Sequence, residues 1–184
     1  IQGCLELMGI PYTGSGSLSS GIAMDKHVSK ELFVKDGVPT PAGLTIYKSD
    51  FSRQSEEAVK KIQILLKRGP VFMKPVDQGS AIGVSRVKSV REIPGALRKC
   101  FSVSEGALVE KLIVGRELTV GILGGRALPV TEIISKHDFY DFYSKYSKGG
   151  SRHITPAPIS FSAASLAQQL ALRAFKALGC SVYG

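Results

Sequence analysis

The chain has 184 residues, 43% of them hydrophobic and 21% charged, the proportions of an ordinary soluble chain long enough for one or two small domains with real cores. Its 24 basic and 15 acidic residues leave a net charge of +9, but the basic residues are scattered and form no arginine-rich tract, which favours anionic small ligands over nucleic acid. No apolar run approaches the roughly 20 residues a bilayer needs, and nothing reads as a signal peptide, so no membrane partner is expected.

Cys4, Cys100 and Cys180 are odd in number and far apart, with no C-x-x-C spacing. They fit free thiols in a reducing, cytoplasmic setting better than a disulfide framework or a zinc site. The sequence opens at Ile1 and stops at Gly184, just as Cys180–Tyr183 begins to read as a strand, so a piece of a longer protein is expected.

In chain order, Leu5–Tyr12 is a short apolar segment closed by Gly9 and Pro11, and Thr13–Gly21 reads as a Gly/Ser connection. Gly14-Ser15-Gly16 lacks a glycine three residues later, which excludes the dinucleotide-binding fingerprint. Ala23–Lys35 reads as one helix, stopped by Gly37 with Pro39 and Pro41 blocking a restart. Gly43–Tyr47 suits a strand. Ser55–Arg68 is a better helix: Ser55 is placed to cap, Glu56 and Glu57 suit the positive N-terminal end, Val59, Ile62, Leu65 and Leu66 share a face, and Gly69 ends it.

The stretch from Arg68 to Val87 carries the most chemistry. Two apolar runs, Val71–Lys74 and Val84–Val87, flank Asp77-Gln78-Gly79-Ser80-Ala81-Ile82-Gly83, the pattern of a β-hairpin with a long glycine loop. Gly79 and Gly83 are free to take positive φ, so successive N–H groups can turn toward one concavity and cradle an anion such as phosphate. Lys74 ends the first strand, where a compact ammonium would sit beside that anion; a surface hairpin with a snorkelling lysine is the plainer reading.

Farther on, Ser89 and Glu92 have capping-box spacing ahead of a short helix through Cys100. Strand-like runs follow at Ala107–Leu112, Glu117–Leu123 and Ala127–Ile134, the last two joined as a hairpin by Gly124-Gly125. Phe139–Arg152, rich in aromatic and basic residues and ending after Gly149-Gly150, is a candidate ordered flap. Ser165 opens an amphipathic helix with Leu166, Leu170, Ala174 and Leu178 on one stripe and Gly179 as the stop. His27, His137 and His153 have no mutual spacing suited to a metal. Helices mixed with short turn-linked strands argue for an α+β fold.

The blocks MGIPYTGSG, AMDK, VPTPA, VFMKPVDQGSAIGVSRV, ALVEKLIVGRELTVGIL, LPVTEI, FYDFYSKY and LGCSVYG, in order and at matching spacings over essentially the whole chain, resemble D-alanine:D-alanine ligases of the ATP-grasp fold. The resemblance implies two α+β lobes with ATP between them, incomplete in this chain. Residues 1–15 would end an N-terminal substrate domain, 16–110 would form the central lobe with the glycine-rich loop, and 111–184 would begin the C-terminal lobe with its flap.

It implies ATP-dependent joining of two D-alanines through an acyl phosphate for peptidoglycan synthesis, with Mg²⁺ or Mn²⁺ held by ligands beyond Gly184. The partners implied are ATP and D-alanine, and a homodimer stays open. Another ATP-grasp carboxylate–amine ligase, a D-alanyl ester ligase and a non-catalytic nucleotide-binding module are the alternatives.

Residue by residue, Lys26 and Lys74 match lysines that contact ATP phosphates, and Ser80, beside Gly79, matches an active-site serine. Glu110, Lys111, Leu112 and Ile113 match the adenine-binding linker, and Glu117 matches the carboxylate that takes the ribose hydroxyls. Lys145 and Tyr146 match the flap pair that closes over the γ-phosphate and substrate. Lysines from separate elements plus a closing loop suit phosphoryl transfer, which needs dispersed positive charge and exclusion of water. The plainer alternatives are a solvated helix face for Lys26, an exposed strand pair for Glu110 and Lys111, and ion pairing around Arg116 for Glu117. This chain departs from the family at Ala81, where a second serine is common, and at Phe142 and Tyr143 in the flap.

Overall fold

The computed structural model describes residues 1–135 and 150–184. Helices α1 (Gln2–Leu7), α2 (Ser17–Met24) and α3 (Lys26–Lys35) open the chain, followed by strand β1 (Gly43–Tyr47) and helices α4 (Lys48–Arg53) and α5 (Ser55–Leu66). Next come β2 (Val71–Pro75), β3 (Ser85–Val87), α6 (Ile93–Phe101) and β4 (Gly106–Lys111). The last elements are β5 (Glu117–Thr119), β6 (Ile122–Leu123), β7 (Arg126–Ala127), β8 (Thr131–Ser135), β9 (Ser151–Ile154) and a long helix, α7 (Phe161–Ala177). Among the described residues no helix is long and apolar enough to cross a membrane. Of the expected flap only residues 150–152 are described; Lys145 and Tyr146 lie outside the described residues.

The described residues pack as two units, one comprising Met24–His27 and Thr40–Val114, the other Ile1–Ala23, Val28–Pro39 and Gly115–Gly184. The first is built on a four-stranded antiparallel sheet in the order β1-β4-β2-β3. Side chains alternate across it as the pleat requires. Ile46, Val71, Met73, Val87, Ala107 and Val109 form one face, and Ala58 and Ile62 of α5 with Ile93, Ala96, Leu97 and Cys100 of α6 close that face into the core. The opposite face carries Thr45, Tyr47, Phe72, Lys74, Arg86, Leu108 and Glu110, all in register with one another.

The second unit has a three-stranded sheet, β5-β8-β9, and the two-stranded ribbon β6-β7, against which α7 packs. Ile122 and Val130 are its buried apolar side chains among the described residues, and α7 buries no residue fully. The strands expected at 117–123 and 127–134 do form, but each is broken in two. Pro129 has no N–H to give to a ladder, so pairing lapses between Ile122↔Ala127 and Thr119↔Thr131. The Gly124-Gly125 turn takes φ of +57° and +73°, as its sequence requires. Gly184 exchanges backbone hydrogen bonds with Ile122, and Tyr183 bridges Leu123, so the strand expected at the end begins as an addition to this ribbon.

Three helix starts differ from the sequence expectation, each because a polar side chain takes a backbone N–H. The connection Thr13–Gly21 becomes helical at Ser17, where the Glu6 carboxylate accepts from both the backbone N–H (3.0 Å) and the hydroxyl of Ser17 (2.6 Å). The single helix Ala23–Lys35 is two, because Asp25 Oδ1 accepts the His27 N–H at 2.9 Å and restarts the helix at Lys26. The last helix begins at Phe161 rather than Ser165, capped by Ser160, whose hydroxyl oxygen accepts from the Ala163 N–H. Ser55 is not a cap either: α4 fills the segment before it, and Gln54 holds the N-cap position.

Candidate functional site

The glycine loop is held by its own sequence and by α6. Within it Ile82 N–H donates to Gly79 O, and Val84 N–H donates to Ala81 O. Ser80 and Ala81, at φ +53° and +59°, adopt the left-handed backbone that was expected of Gly79, which stays outside that region. The correction has a simple cause: two successive αL residues turn the loop, and Ser with Ala is small enough to bear the strain. Gly83 does take positive φ (+72°), and a Cβ there would stand 2.6 Å from Pro75 Cγ. From α6, Lys99 Nζ donates to Val84 O at 2.8 Å and the Cys100 thiol donates to Gly83 O at 3.4 Å. Gln78 Nε2 reaches Val103 O at 2.9 Å.

Lys26 is not on a solvated helix face. Its backbone N–H donates to Val76 O at 2.8 Å, and its ammonium donates to Gln78 O at 2.5 Å and Val76 O at 3.3 Å, tying the start of α3 to the entry of the loop. Burial, and then the nearby Lys74 charge, pull its pKa below the ordinary lysine value. His27, the next residue, places Nδ1 3.1 Å from Thr45 Oγ1 and meets Tyr47 edge-on.

Lys74 projects from β2 onto the same face and forms an ion pair with Glu110 of β4, whose side chain is 6% exposed. Glu110 is therefore no exposed strand residue. Room for it comes from Gly43, directly opposite on β1, where a Cβ would stand 2.4 Å from Val109 O and 3.0 Å from Glu110 Cγ. Beyond Glu110 the strand ends at Lys111, whose N–H goes to Ala42 O; Leu112 N–H goes to Pro70 O, and Ile113 and Val114 are exposed.

One unit thus holds Lys26, Lys74, Gly79, Ser80, Glu110, Lys111, Leu112 and Ile113; Lys74 and Glu110 stand on the open side of its sheet, whereas Lys111, opposite Val71, stands on the other. Glu117 lies in the other unit, exposed, at the start of β5. Arg116 beside it is committed elsewhere, with a bidentate pair to Glu132 at 2.6 and 2.7 Å and a third bond to Pro158 O at 3.1 Å. Among the described residues no three His, Cys, Asp or Glu side chains gather as a metal site.

Sequence reading missed two features of this face. Gly43 leaves no signal except its pairing partner, and Arg86 hides as one basic residue in a short strand.

A four-stranded antiparallel sheet closed on one face by two helices, with lysines, a buried acid and a strained loop on the other, belongs to an α+β fold of the ATP-grasp class. Residues 32–184 match the model of the D-ala D-ala ligase C-terminus family, and the chain belongs to that family. It is 45% identical over 184 residues to the D-alanine–D-alanine ligase of Methylacidiphilum infernorum, covering all of this chain and 56% of that protein. With the ligase of the same name from Geobacter sulfurreducens it shares 44% identity over 185 residues, 55% of that protein. The chain spans about half the length of the curated relatives it matches.

Among solved structures, the VanG D-Ala:D-Ser ligase of Enterococcus faecalis superposes with a TM-score of 0.83 at 32% identity, over 99% of this chain and 52% of that one. The Bacillus anthracis D-alanine–D-alanine ligase complexed with ATP gives 0.79 at 30% identity, over 99% and 55%.

Proposed function

We propose that this chain is the nucleotide-handling part of a cytoplasmic ligase that spends ATP to join two D-alanines into D-alanyl-D-alanine through an acyl phosphate, feeding peptidoglycan synthesis. The observation that carries the reading is the open face on which Lys26, Lys74 and Glu110 meet beside the loop of Gly79–Gly83, in a chain 45% identical to a protein of that name.

ATP fits these residues. Two ammonium groups and a loop with successive αL residues suit a polyphosphate, because N–H dipoles and cations act strongly on phosphate oxygens in a partly dry site. In this reading Lys74 exchanges its pair with Glu110 for a phosphate oxygen, and Lys26 contacts a second phosphate while bracing Gln78. Ser80 sits at the loop tip beside the transferred group, the Glu110–Ile113 segment takes the base, and Glu117 takes the ribose hydroxyls. Lys145 and Tyr146 complete the cover over the γ-phosphate and the substrate. The divalent ion, Mg²⁺ or Mn²⁺, would neutralise phosphate charge when bound, from ligands outside the described residues.

The test is competition in the full-length protein: D-alanine, D-serine and D-lactate offered together with ATP, with products separated by mass. Predominant D-alanyl-D-alanine supports the reading. Predominant D-alanyl-D-serine or ester would move the protein to a relative with another nucleophile, and absence of phosphate release would leave a binding module.

A further inference from the structure

We propose that Arg86 is a nucleotide-contacting residue, its guanidinium lying flat against the base of the nucleotide whose phosphates face Lys26 and Lys74. The inference rests on the reading of this open face as a nucleotide site. Arg86 is the middle residue of β3, directly opposite Phe72, and Phe72 is in turn directly opposite Glu110. Directly opposed residues of antiparallel strands stand on the same face. Glu110, Phe72 and Arg86 therefore form a row across the sheet, and Lys74 stands two residues along β2 from Phe72. Two residues of strand cover roughly 7 Å, about the reach of a ribose between base and phosphate. With the phosphates at the Lys74 end, the row through Phe72 lies where the base falls.

The state of the Arg86 side chain points the same way. The residue is only partly exposed, and its Nε is buried without a hydrogen-bond partner among the described residues. A basic residue placed on an edge strand merely to discourage pairing would send its guanidinium to water. A structural arginine would bring its N–H groups to an acceptor, as Arg116 does with Glu132 and Pro158. An arginine whose Nε is buried on the sheet face in line with Phe72, with that N–H left over, has a flat cationic end to present. Nucleobases stack on such planes.

The experiment uses the full-length protein and two probes, ATP and adenosine, which lacks phosphates. Binding of each is measured by calorimetry or by competition, in wild type, Arg86→Met and Arg86→Lys, with melting temperatures alongside. Arg86→Met is expected to weaken both probes by the same factor, about tenfold, the scale of one stacked base contact. Arg86→Lys should restore little of that loss, because it returns the charge without the plane.

A loss confined to ATP would make Arg86 a phosphate contact and overturn the proposal. So would unchanged affinity for both probes, whether or not the melting temperature falls. Failure of the wild type to bind either probe would instead overturn the nucleotide reading beneath it.

Discussion

The two faces of the four-stranded sheet are built from the same strands yet serve opposite ends. On β2, Val71 and Met73 are fully buried against α5 and α6, while Phe72 and Lys74, between and after them, look the other way and are only partly covered. The apolar core lies on one face and the Lys74–Glu110 pair on the other. A substitution on the helix side should therefore move folding and leave ligand affinity alone, whereas one on the open side should do the reverse.

The largest effect is expected on the helix side. Leu97→Ala, in the middle of the α6 contact and 1% exposed, should cost about 2–5 kcal/mol of unfolding free energy, with nucleotide affinity of the folded fraction unchanged. Denaturant titration measures this, and a loss of affinity without a loss of stability would erase the division between faces. Lys74→Ala is its counterpart. It should lower turnover by about 10² or more, as loss of one preorganised electrostatic contact does, while melting falls less than in Leu97→Ala, the loss coming from the cation taken away from the buried Glu110 carboxylate.

Gly83→Ala tests a position that serves both the loop and the packing on β2. Positive φ and a Cβ 2.6 Å from Pro75 Cγ should cost about 1–3 kcal/mol and also raise the KM for ATP, because the same residue shapes the loop and packs on β2. A stability change without a KM change would detach the loop from the site.

A smaller effect concerns pH. Burial and Lys74 lower the pKa of Lys26, so the ammonium is fully present at low pH and is lost, as pH rises, earlier than an ordinary lysine. Nucleotide affinity should accordingly decline on the alkaline side below the usual lysine value of 10.5, and Lys26→Arg should push that decline to higher pH. For folding the sign is opposite. Below 10.5 the unfolded chain holds this proton more tightly than the folded one, so Lys26 favours the folded state progressively as pH rises through its lowered pKa.

The mildest test is thiol labelling. Cys4 is exposed and should react first, while Cys100, buried on the helix side with its pKa pushed up to about 11, should react only on unfolding.

Local chemistry was readable in the chain alone. The strand Gly43–Tyr47 has the bounds its residues suggest, and the hairpin around Asp77–Gly83, the helix from Ser55, which ends two residues before the expected Arg68, and the Gly124-Gly125 turn follow from periodicity and turn residues that act over a few positions. Eight blocks in order were enough to name the family. What remained hidden depends on partners far apart in sequence. The helix break at Asp25 and the cap at Ser160 are exceptions, choices among local options of similar energy made by side chains that take N–H groups two and three residues on.

The order β1-β4-β2-β3 brings Gly43 opposite Glu110, sets Glu110 beside Lys74, and lines Arg86 up with Phe72. No periodicity encodes such a row. Sequence patterns report which face of a strand is apolar, whereas the neighbours on its polar face are decided by which strands pair, and in what register.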